Sequence, residues 1–139
     1  QVGALTTQTT GVHQDRSSFW LAPFESVEYK YTLSEGQSMV FEWRALSDMP
    51  ADVIFEMHSE IDGDPEQSVT FELSRGDAQR GTFVAPFSGV HGWYWENRGV
   101  GEVEVMLQAT GFFTHGTTYG PSGAFTKVIG KDAEPKTAE

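Results

Sequence analysis

Apolar residues recur at every second position in segment after segment of this chain, a period that puts one side of a strand into a core and leaves no stripe for a helix. In "SVEYKYTL", Val27, Tyr29, Tyr31 and Leu33 oppose Glu28, Lys30 and Thr32. "QSMVFEWRAL" sets Met39, Phe41 and Trp43 against Glu42 and Arg44, and "DVIFEMH" sets Val53, Phe55 and Met57 against Ile54, Glu56 and His58. "SVTFEL" follows with Val69, Phe71 and Leu73, and "GTFVAPF" is a short strand stopped by Pro86. In "GVHGWYWENRG", His91, Trp93 and Trp95 share one face and Val90, Tyr94 and Glu96 the other. Val103, Val105, Leu107 and Ala109 close the series. Seven or so short strands separated by turn signals predict an all-β, antiparallel two-sheet sandwich of jelly-roll type. Its expected core is Phe41, Trp43, Phe55, Phe71, Trp93, Trp95, Val103, Val105 and Leu107.

Residues 1–18 are rich in Thr, Gln and Ser without apolar period and read as a flexible arm or tether. The sandwich is expected over 19–113, and 114–139 reads as an extension ending in a charged, frayed tail.

Nine basic against twenty acidic residues give a formal charge of −11, which repels phosphate backbones and excludes nucleic acid as a partner. Cysteine is absent, so disulfides, thiolate nucleophiles and zinc–thiolate clusters are excluded. No window approaches the roughly 20 consecutive apolar residues that a membrane helix needs. There is no G-x-S-x-G elbow, P-loop or dinucleotide fingerprint, so the chain is not expected to be an enzyme.

"SEGQSMVFEWRA", "DVIFEMH" and "GTFVAPFSGVHGWYWENRGVGEVEVML" together resemble the Golgi-dynamics (GOLD) domain pattern. Asp52, Val53 and Phe55 fill its Asp-aliphatic-x-aromatic element; Gly89, His91, Trp93, Trp95 and Asn97 fill its glycine–aromatic–asparagine element. "LAPFESVEYKY", "MHSEIDGDP" and "APFSGVHGWYWENR" are similar, more narrowly, to bacterial transmembrane anchor proteins. That resemblance implies a periplasmic GOLD-like β-sandwich attached to the cytoplasmic membrane by a segment outside this chain, and it brings no activity. His91 stands where the pattern usually has an aromatic, and Tyr94 where cysteine is common.

The functional expectation is a non-catalytic interaction or ligand-binding module with a protein partner. Its candidate surface is Tyr94, Glu96, Asn97 and Arg98, carried by loops at one end of the sandwich, especially "SEIDGDPE" and "NRGVGE". Asn97 equally suits a turn. One alternative is a periplasmic metal-binding protein in which His58 and His91, with Glu56, Asp62 and Asp64, hold a transition-metal ion. A calcium ion on "DGDPE" is a further option, although Gln67 stands where a helix-loop-helix calcium site has glycine. An accessory subunit of a larger membrane complex and a binder of carbohydrate or envelope polymer through Tyr94 are the remaining alternatives. No other cofactor is expected, and the oligomeric state is open.

Overall fold

The computed structural model of the chain describes residues 3–130. Ten strands run in chain order: β1 His13–Leu21, β2 Ser26–Leu33, β3 Ser38–Leu46, β4 Val53–Ile61, β5 Asp64–Gly76, β6 Ala78–Val84, β7 Gly89–Asn97, β8 Val103–Gly111, β9 His115–Gly120 and β10 Gly123–Val128. They form a four-stranded sheet, β1-β8-β3-β6, and a six-stranded sheet, β10-β9-β2-β7-β4-β5, with every pairing antiparallel. The protein is an all-β two-sheet sandwich, and the alternation of its sequence is the reason. Each strand has an apolar face to hide, and the two faces hide against each other.

The core is dense in rings. Trp43, Trp93 and Trp95 are fully buried. Trp93 and Trp95, two apart on β7, stack with ring centroids 5.7 Å apart, and Trp43 meets Trp95 edge-on at 5.8 Å. Burying some 150–250 Å² per indole contributes at most about 4–6 kcal/mol each. The indole N–H groups of Trp43 and Trp93 both donate to Gln79 Oε1, at 2.9 and 3.0 Å, so one β6 side chain serves two buried donors.

The sandwich is closed along β1 by a charge. Asp15 accepts from the hydroxyls of Tyr29 and Tyr31, both at 2.7 Å, and pairs with Lys127 at 2.9 Å. Burial pushes the Asp15 carboxyl up, but the hydrogen bonds from Lys127, Tyr31 and Tyr29 outweigh it and hold the group below the usual carboxylate range.

The structure corrects three expectations. Residues 13–18, assigned to the arm, belong to β1, which pairs with β8 from His13↔Gly111 to Leu21↔Val103. Residues 115–128 of the extension are β9 and β10, the former hydrogen-bonded to β2; 131–139 lie outside the described residues. Phe71, expected in the core, is 45% exposed. The six-stranded sheet is wider than the layer it faces, so the outermost strand β5 has little to pack against, and Phe71 only touches Phe83 edge-on at 5.2 Å. The other expected core residues are buried.

Candidate recognition site

The turns β1–β2 and β7–β8 lie side by side at one end of the sandwich because Asn97 bolts them together. Its amide nitrogen donates to the carbonyls of Leu21 and Gly101, both at 2.9 Å, and its side-chain oxygen accepts from Gly99 N–H at 2.8 Å. Its own N–H donates to the Glu25 carbonyl at 2.9 Å, and its carbonyl accepts from Phe24 N–H at 2.7 Å. Asn97 is fully buried. It is therefore no contact residue: the turn-forming role fits, and every polar group of the side chain is committed inside the protein.

What this bolt holds out is Phe24. Among the described residues it is the only non-glycine with positive φ, 70°, a conformation that costs an aromatic residue roughly 1–3 kcal/mol. Its ring is nevertheless 74% exposed. Glu25 N–H donates to the Ala22 carbonyl at 2.9 Å, and the Glu25 carboxylate takes Ala22 N–H at 2.8 Å, so the turn is fixed at both ends. The Arg98 guanidinium lies over the Phe24 ring, 5.9 Å from its centroid.

From Arg98 the site continues onto the outer face of the six-stranded sheet. Arg98 ion-pairs with Glu96, and the Tyr94 hydroxyl donates to Glu96 at 2.5 Å. Hydrogen bonds from Tyr94 and Arg98 lower the Glu96 pKa, while partial burial and the Glu96 bond raise that of Tyr94. Tyr94 sits in a cross-strand row with Tyr119, Glu28 and Glu56. The next row is Thr117, Lys30, Gly92, His58 and Thr70. A Cβ at Gly92 would lie 2.2 Å from the Tyr29 carbonyl oxygen, so the row needs glycine there. Beside it Lys30 is fully buried, paired with Glu28 at 3.2 Å and Glu60 at 3.7 Å under the Tyr119 ring. Of the expected partner-binding residues, Tyr94, Glu96 and Arg98 thus share this surface and Asn97 supports it from below.

The proposed metal ligands do not converge. The register pairs Ser59 with His91 and His58 with Gly92, so neighbouring positions send the two imidazoles to opposite faces of the sheet. His91 points into the sandwich, with Nδ1 2.6 Å from Ser59 Oγ and the Phe83 and Phe87 rings 5.3 and 5.5 Å away. Burial depresses its pKa. His58 lies outside between Glu56, 3.9 Å from Nδ1, and Glu60, 3.6 Å from Nε2. Asp62 and Asp64 flank the β4–β5 turn at Gly63. Among the described residues no three His, Asp or Glu side chains are grouped to hold a metal ion. That turn also lies at the far end from Asn97, since Ile61 pairs with Gly89 while Val53 pairs with Asn97. "SEIDGDPE" and "NRGVGE" therefore cannot form one recognition surface.

Sequence reasoning missed Phe24 and the exposed Trp20, which is 62% accessible one strand-end away. "WLAPFES" carries the signal in part: a proline turn between two aromatic residues.

The chain matches no protein-family model, and no curated protein matches its sequence. Among solved structures it is similar to PliG of Aeromonas hydrophila, a periplasmic inhibitor of g-type lysozyme. The identity is 16%, over 76% of this chain and 92% of that one, with a TM-score of 0.49. It is also similar to a cupin-superfamily sugar phosphate isomerase of Silicibacter pomeroyi, at 12% identity over 91% of this chain and 73% of that one, with a TM-score of 0.38. Both likenesses are distant.

Proposed function

We propose that the protein is a non-catalytic interaction module of GOLD-like type that works outside the cytoplasm, attached to the cytoplasmic membrane in its full-length form, and grips a protein partner with its Phe24–Arg98 end. The observation that carries this is Phe24 itself. An aromatic ring kept in solvent, on a backbone conformation that costs energy, and anchored by a buried asparagine, is the arrangement expected when strain is retained for presentation rather than for packing. Location and tethering rest on the resemblance to transmembrane anchor proteins. The non-catalytic reading is supported by the economy of the site: Tyr94, Glu96 and Arg98 are spent on one another.

The test is co-purification of wild type and Phe24→Ser from the native envelope after gentle cross-linking. A stoichiometric partner that is captured by wild type and lost from the folded variant supports the reading. Recovery of both as lone species contradicts it.

A further inference from the structure

Beside the Phe24 turn, at the end of the four-stranded sheet, lies a groove of about 460 Å³. Trp20, Leu46 and Met49 supply its apolar surface, 62%, 43% and 49% exposed, and Asp48, Glu102 and Glu104 interleave with them. The pairing of strands explains the arrangement. Trp20 and Leu46 are the cross-strand neighbours of Glu104 on either side, so one carboxylate stands between an indole and an isobutyl group. The β3–β4 loop is tied down by Ser47 Oγ, which donates to the Glu102 carbonyl at 2.7 Å, and Met49 packs over Gly101. Among the described residues none of the three carboxylates has an ion-pair partner, whereas Glu28, Glu42, Asp52, Glu60 and Glu96 all do.

We infer that this groove is the docking site for a lysine- or arginine-bearing amphipathic segment of a partner protein. The inference deepens the interaction reading above and rests on it. Three unpaired carboxylates ask for cations, and the exposed Trp20 indole beside Glu104 offers a face on which an ammonium or guanidinium group can lie. The intervening Leu46 and Met49 ask for apolar groups at neighbouring positions, which a free metal ion or a simple polyamine lacks. An anionic bilayer is disfavoured by the same carboxylates and by the overall charge of −11.

The probe is a synthetic peptide of alternating lysine and leucine, titrated into the full chain while the Trp20 indole N–H resonance is followed. Trp20 is the exposed tryptophan of the four. Saturable movement of that resonance is expected. The Glu102→Gln/Glu104→Gln variant, altered at two surface positions, should bind about tenfold more weakly, and rising salt should weaken wild type in parallel. Removing the same charge at the far end, Glu35→Gln/Glu66→Gln, should change affinity less than about twofold. Equal losses in the two variants would reduce the effect to diffuse attraction and overturn the inference. So would binding of a glutamate–leucine peptide of the same length, or movement of Trp20 with anionic phosphatidylglycerol vesicles in place of the peptide. Should the envelope partner depend on Phe24 while Glu102→Gln/Glu104→Gln leaves both its capture and the peptide unaffected, the docking site fails and the interaction reading stands. A peptide that seats on Trp20 when no envelope partner is captured separates the two in the other direction.

Discussion

Phe24 N–H donates to the Asn97 carbonyl at 2.7 Å, which makes a fully buried residue the support of an exposed ring held at positive φ. The two residues are far apart in sequence: Phe24 lies in the β1–β2 turn and Asn97 ends β7. Their bond makes recognition at this end depend on the interior of the protein.

Asn97→Ala should be costly because it strands more than it removes. The carbonyls of Leu21 and Gly101 lose their donor and Gly99 N–H loses its acceptor; the buried Leu21 carbonyl alone costs roughly 1–3 kcal/mol when orphaned, and the two part-buried groups add less. A urea titration should show a loss of at least about 2 kcal/mol at unchanged slope. Asn97→Asp should fare no better, since a carboxylate would then face two carbonyl oxygens.

Acid stability should depend on Asp15. Its folded-state pKa is lowered, so its contribution is whole above the unfolded value of 3.8 and disappears as pH falls through the folded one. Asp15→Asn should be less stable than wild type at neutral pH, and the gap should narrow below pH ~4 in pH-dependent chemical denaturation. A gap that widens on acidification would contradict the Tyr29–Tyr31–Lys127 arrangement.

His91 should act in a higher window. Burial depresses its pKa, so folding is favoured fully above the unfolded value of 6.5 and loses this contribution as pH falls below it. Imidazole resonances should show His91 titrating below the ordinary 6.5, and His91→Phe should flatten the stability profile on the acid side of that value. An ordinary titration at 6.5 would place the ring in solvent instead.

The parts of the fold that were legible are those whose inward positions are apolar. β2, β3, β7 and β8 carry Tyr, Phe, Trp, Val and Leu at every second place, and the pattern needs no other information. β1 was hidden because Asp15 and Ser17 occupy two of its inward places, and their burial depends on Tyr29, Tyr31 and Lys127 from other strands. β9 was hidden because a glycine fills the place where the Tyr29 hydroxyl leaves no room for a side chain: a Cβ at Gly116 would lie 2.2 Å from it. Phe71 misled in the opposite sense, since alternation marks which residues share a face and says nothing of whether another layer covers it. At the site, Tyr94, Glu96 and Arg98 could be read from their outward phase. His58 and His91 could not be placed until register set them one position apart on neighbouring strands. The backbone of Phe24 was legible only in part: Pro23 at the second place of the Ala22–Glu25 turn favours the turn type whose third residue takes positive φ, but that place ordinarily calls for glycine or asparagine and not phenylalanine.

The account's central claim is that Phe24 is held for contact and not for folding, and Phe24→Gly tests it most directly. Glycine accepts positive φ without strain, so urea denaturation should find the variant as stable as wild type or more stable by up to about 1 kcal/mol, while capture of the envelope partner is lost. A variant destabilised by several kcal/mol, or one that still captures the partner as well as wild type, would contradict the claim.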